Sequence, residues 1–125
     1  VMKNILQQKS ASFSLQLIEL SNQLRKSKDL VFADEILRSG LSIGQNIENS
    51  RHRKNVDGFI STLSDSYSDA KSTEYWLQLL KESKKLPTKE ADSIISSLDE
   101  IQKILYSSIS TAKKNQKEKI ETTKS

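Results

Sequence analysis

The chain has no cysteine, one proline, three glycines and one histidine among its 125 residues. Each shortage excludes something. Without cysteine there is no disulfide framework, no thiolate zinc site and no cysteine nucleophile, and a reducing, cytoplasmic setting fits. So few glycines and prolines leave too few turn formers for a β-rich domain. No apolar run approaches the roughly 18 residues needed to span a bilayer, so no membrane role is expected. Residues 1–15 lack the apolar core and small-residue cleavage site of a secretory signal. Val1 ahead of Met2 reads as an added residue, with Met2 the expected natural start.

What remains is rich in Lys, Glu, Gln, Leu, Ile and Ser, with long stretches free of helix breakers, and predicts an all-α protein. Four helical segments read out. The first runs from about Asn4 to Arg25, with Leu6, Phe13, Leu17, Leu20 and Leu24 within about 60° of one another. The second starts after Asp29, read as its N-cap, and runs to about Ser50. The third covers Val56 to Lys84. The fourth starts with Thr88 as cap and ends near Ala112, carrying Ala91, Ile94, Leu98, Ile101, Leu105, Ile109 and Ala112 at alternating spacings of three and four. Short connections between long helices predict an antiparallel up-down-up-down four-helix bundle over residues 1–112. Residues 113–125 read as a lysine-rich, disordered tail.

Formal net charge is +4. The tail holds five lysines against Glu118 and Glu121, whereas the 112 residues before it carry 15 basic and 14 acidic groups. The body is therefore nearly neutral. The tail is either a solvated end or a nucleic-acid arm, in which Lys113 and Lys114 are candidates. Arg51, Arg53 and Lys54 form a second basic cluster, around His52, at the junction of the second and third helices.

The second and third helices carry more apolar surface than a lone bundle needs. On the second, Phe32, Ala33, Ile36, Leu37, Leu41 and Ile47 span about 180°, where somewhat more than 100° serves a core-facing helix. On the third, Val56, Ile60, Leu63, Tyr67 and Ala70 form a stripe whose continuation brings Glu74 onto the seam. Trp76, Leu79 and Leu80 fall about 140–240° away from it. This all-round apolar segment predicts self-association, with Trp76 as an aromatic anchor. Gly40 and Gly44 cost their helix about 0.8–1 kcal/mol each relative to alanine, so close backbone approach must compensate. The approaching group is either Trp76 or Tyr75, or the third helix of the same bundle. Glu74 on a core seam would need a partner; Arg38, reaching across an interface, is one candidate.

No enzyme signal rises above this background. A catalytic Glu74 would lack a second carboxylate, a metal-ligand set or a nucleophile. His52 lacks the Glu-x-x-His spacing of helical metal sites. Ser64, Ser66, Ser68, Asp65 and Asp69 read as a solvated face without a base for a hydrolase triad. The expectation is a non-enzyme with no cofactor, no metal and no small-molecule substrate.

The residues Leu37-Arg38-Ser39-Gly40, Ser42-Ile43-Gly44 and Asn46-Ile47, then Asp57 and Phe59, then Thr73-Glu74-Tyr75-Trp76-Leu77 with Leu79-Leu80 carry a resemblance. They are similar to the four-helix-bundle proteins first met as reading frames inside intervening sequences of bacterial 23S rRNA genes. That family usually reads Ser-Gly-Thr-Ser-Ile-Gly-Ala-Asn-Ile; here Leu41 replaces the Thr, Gln45 replaces the Ala, and Gly58 interrupts a better helix former. The resemblance implies a left-handed antiparallel bundle that assembles as a homopentamer. A distantly similar accessory factor of diversity-generating retroelements is a basic pentamer that binds nucleic acid and a reverse transcriptase. The expected function is an oligomeric protein associated with structured RNA or DNA. The alternative is a protein-interaction scaffold without nucleic acid.

Overall fold

A computed structural model describes residues 4–124; the reading of Val1 and Met2 lies outside them. It contains four helices: α1 (Ile5–Lys26), α2 (Leu30–Ser50), α3 (Val56–Glu82) and α4 (Thr88–Lys124). Each packs on its neighbours in sequence, and α1 closes the ring against α4. Cross-helix pairs show the directions. Gln7 meets Glu48 and Arg25 meets Asp34 between α1 and α2. Asn46 meets Asp69 and Phe32 meets Trp76 between α2 and α3. Lys81 meets Asp92 and Asp57 meets Gln116 between α3 and α4. Within each set one residue number rises as the other falls, so the bundle is antiparallel and up-down-up-down.

The core follows the apolar stripes of α1 and α4. Leu6, Phe13, Leu17, Leu20 and Leu24 are buried, as are Ala91, Ile94, Leu98, Ile101 and Leu105. No described helix is long and apolar enough to cross a membrane.

Three local expectations are corrected. Asp29 holds the N-cap position of α2, but its side chain makes no capping bond; its carboxylate takes the Lys85 ammonium at 2.9 Å. Thr88 is the first residue of α4, and the Pro87 carbonyl accepts from the Ala91 N–H at 2.9 Å. Lastly, α4 does not stop at Ala112 but continues as helix to Lys124. Residues 113–124 contain no Gly or Pro and are mostly good helix formers, so the helix propagates from its packed part.

The phase of α3 also differs from the expected seam. Its buried residues are Thr62, Leu63, Ser66, Ala70, Thr73, Leu77 and Leu80. Thr73, not Glu74, lies on the seam. Glu74 is half-buried and pairs with Lys71 on its own helix at 3.6 Å. The hydroxyls on the buried face are satisfied locally or across to α2. Ser66 donates to the Ile43 carbonyl at 2.9 Å. Thr73 Oγ1 lies 2.8 Å from the Asp69 carbonyl and 3.0 Å from Ser39 Oγ. Small side chains with internal partners let α2 and α3 approach closely without stranding polar atoms. Ser66 is thus core, although Ser64, Asp65 and Ser68 are exposed as expected.

Candidate nucleic-acid interface

The connection between α2 and α3 is built by backbone turns. The N–H groups of Arg51, His52 and Arg53 bond back to Glu48, Asn49 and Ser50. Asn55 then caps α3, its side chain accepting from the Gly58 N–H at 2.8 Å. Arg53 folds over this first turn, and its Nε donates to Thr62 Oγ1 at 2.9 Å. Gly58 leaves this fold-over uncrowded: a Cβ there would stand 3.3 Å from Asn55 Oδ1 and 3.4 Å from the Arg53 side chain, so that these neighbours would have to give slightly. Arg51 turns toward Glu48, 3.2 Å away, while Lys54 and His52 are exposed.

The continuation of α4 runs past this connection. Gln116 donates to Asp57 at 2.6 Å, fastening α4 to the first turn of α3. Between them lies an open cleft of about 450 Å³. Arg53, Lys54 and Lys119 stand around it, Val56, Phe59 and Ala112 give it apolar walls, and Asn115 and Gln116 add side-chain amides. Beyond Gln116, α4 projects by about two turns.

The fold therefore gathers both basic clusters at one end of the bundle. Over residues 48–57 and 113–121 there are seven basic residues against four acidic ones. Lys113 and Lys114 are exposed at this end but outside the cleft. The lysine that joins Arg53 and Lys54 is Lys119, further along α4 on the cleft-facing side. Sequence reasoning treated the lysine-rich end as a separate tail and missed this pairing. The signal was available in the unbroken helical composition after Ala112.

The residues expected at an oligomer interface are scattered. Leu80 is fully buried in the chain's own core. Gly40 faces α1: a Cβ built on it would overlap Leu17 Cδ1, and Thr73 is its next neighbour. Gly44 lies beside Ser10 and Ser14, also of α1. Both glycines thus serve the contact between α1 and α2, Gly40 also touches Thr73 of α3, and neither Trp76 nor Tyr75 is among their nearest neighbours. Arg38 is exposed and pairs with Glu35 one turn away, not with Glu74. Trp76 and Leu79 are half-buried; the Trp76 ring meets Phe32 edge-on with centroids 5.9 Å apart, and the largely exposed Tyr75 ring lies 5.6 Å from it. An aromatic surface does exist there, smaller than expected because α3 is rotated.

The surroundings of Asp69 shift its titration. Burial between α2 and α3 raises its pKa, Asn46 partly offsets this by donating at 2.8 Å, and the nearby Asp65 charge raises it further.

The sequence profile of the 23S rRNA-intervening sequence protein family matches residues 2–107. A solved structure is similar over nearly its whole length. It is the crystal structure of a protein of unknown function from the S23 ribosomal protein family of Bacteroides thetaiotaomicron, with a TM-score of 0.82 and 33% identity, covering 84% of this chain and 98% of that one. Comparison with curated proteins returns no match. The family match ends before Lys113, so the lysine-rich part of α4 lies outside it. With the matched profile, the shared fold and the identity in agreement, the chain belongs to the 23S rRNA-intervening sequence protein family.

Proposed function

We propose that this chain is a non-enzymatic, oligomeric, cytoplasmic protein that associates with structured RNA or other nucleic acid through the basic end of its bundle. The carrying observation is the convergence of Arg53, Lys54 and Lys119 on one cleft, with Arg51, Lys113 and Lys114 at the same end. Phosphate attraction scales with the number of cations that reach the backbone at once, so gathering them matters more than the chain's modest net charge. The test is a titration of labelled RNA and of duplex DNA at two salt concentrations, with the wild-type chain and with Arg51, Arg53 and Lys54 neutralised together. Binding should weaken steeply with salt, and the triple variant should flatten that dependence in proportion to the phosphates it no longer neutralises. An unchanged slope overturns the role of the cluster.

Self-association, as a homopentamer, belongs to the same proposal. Half-buried Trp76 and Leu79 beside exposed Tyr75 support it, as does the family resemblance. Repetition of the basic end around a ring would turn weak single-site attraction into avidity. Light scattering that returns a 14.2 kDa species overturns it. Tyr75→Glu, at an exposed position, should dissociate the assembly and leave the subunit folded. The second reading is a protein-interaction scaffold without nucleic acid. The near-neutral charge of the first 112 residues favours it, and an absence of binding at about 50 mM salt, where electrostatic contacts are strong, would select it.

A further inference from the structure

We propose that the cleft between the α2–α3 connection and α4 receives an unpaired nucleotide, so that the protein prefers single-stranded segments over duplex. The proposal rests on the nucleic-acid reading above and names the part of the nucleic acid that is taken. The cleft is not a plain cationic surface. Part of its lining is apolar: Phe59, Ala112 and Val56, the last 46% exposed. A phosphate alone would leave those side chains wet and gain nothing from them. A base placed there removes them from water and leaves its own phosphate at the rim, where Arg53 and Lys54 stand. The volume, about 450 Å³, falls within the range of ligand pockets, roughly 300–1,000 Å³.

The polar groups fit the same placement. Asn115 and Gln116 each bring an amide with donor and acceptor, the pattern that meets base edges. The Gln116 amide is already oriented by its bond to Asp57. Arg53 and Lys54 on one side and Lys119 on the α4 side give a phosphate at the rim cations to meet. A duplex hides its bases in the stack and cannot fill such a cleft without extruding one. The bundle's larger groove provides a contrast. Between α1 and α4 it measures about 540 Å³, but Glu19, Glu90 and Lys89 on its rim give a phosphate no net positive charge.

The experiment compares four probes with the wild-type chain at matched salt and equal phosphate number: a single-stranded RNA, the corresponding single-stranded DNA, a hairpin duplex, and a single strand with abasic sites. Single strands should bind roughly tenfold more tightly than the duplex, and the abasic strand should lose a similar factor, because stacking is removed while phosphates are kept. The tighter of the RNA and DNA arms identifies the sugar recognised. Val56→Ser, at an exposed position, should weaken single-strand binding several-fold without changing its salt slope; Phe59→Leu should do the same, with melting checked for folding. Equal affinity for single strand, duplex and abasic strand overturns the nucleotide cleft while leaving salt-dependent phosphate binding in place. No binding of any probe at about 50 mM salt overturns both.

Discussion

The two ends of this bundle use the same residue types differently. At one end the α1–α2 and α3–α4 connections lie side by side. Three ion pairs form there: Lys85 with Asp29, Lys81 with Asp92, Arg25 with Asp34. Leu86, in the α3–α4 connection, is only 1% exposed and plugs the core from above. Both α1 and α3 end in the same tight turn, where the N–H of Asp29 reaches back to Leu24 and that of Lys85 to Leu80. At the other end the α2–α3 connection, five residues long like that between α3 and α4, carries Arg51, Arg53 and Lys54 and no acid, and α4 overshoots it. Arg25, Lys81 and Lys85 at the first end are structural, each held by a carboxylate. Arginine and lysine at the second line a cleft. Charge count alone does not separate the two; pairing geometry does.

The comparison can be broken most strongly at Leu86. Leu86→Ala should lower stability by about 2–4 kcal/mol, the range for a buried leucine, while Val56→Ala at the opposite end should change it by less than about 0.5 kcal/mol. Urea denaturation of both variants measures the contrast, and equal losses would show that the ends are not differently packed. Neutralising Lys113, Lys114, Lys117 and Lys119 to Gln should weaken nucleic-acid binding about 100-fold at low salt. Neutralising Lys81, Lys84 and Lys85 should leave it nearly unchanged, and a reversed order would move the interface to the paired end.

Smaller effects sharpen the picture. Lys28 and Lys84 sit at positive φ, 62° and 60°, at the two tight turns. A left-handed conformation costs a residue with a Cβ roughly 1–2 kcal/mol, and glycine avoids that cost while losing more chain entropy. Lys28→Gly and Lys84→Gly should therefore each raise stability by about 0.5–1 kcal/mol, read as a higher thermal midpoint. The middle of the bundle supplies the smallest shift. Burial raises the Asp69 pKa above its unfolded value, so the native state binds the extra proton. The ionised form is then a cost at neutral pH. That cost fades as pH falls through the folded pKa and is gone below the unfolded value near 3.8. Asp69→Asn should stabilise the protein slightly at pH 7 and lose this advantage in acid, which melting curves across pH would follow.

The sequence was legible where the pattern is local. The breaks at 27–29, 51–55 and 83–87 separate four helices, and the stripes from Leu6 to Leu24 and from Ala91 to Leu105 name the inward faces of α1 and α4. The family resemblance rested on residues of α2 and α3 and held. The third helix was harder, because Thr62, Ser66 and Thr73 are core residues that a polar–apolar division places outside. That error of phase carried Glu74 inward and Leu80 outward. It also assigned Gly40 and Gly44 a partner on the third helix, when the groups nearest them are Leu17, Ser10 and Ser14 of the first, with Thr73 of the third beside Gly40 at 3.8 Å.

What the sequence by itself determined, then, is the number and order of the helices and the all-α class, since propensity and periodicity act within a few residues of one another. What only the tertiary structure decided is how far each helix is rotated about its axis and which distant segments meet. Hydroxyls that bond to carbonyls on their own or a neighbouring helix made the α2–α3 contact close and turned α3 accordingly. The cleft at the basic end lies where Gln116 of α4 meets Asp57 of α3 and Arg53 folds over the first turn of α3. Residues 59 positions apart are brought together by the antiparallel course of α3 and α4, a relation that no local pattern carries.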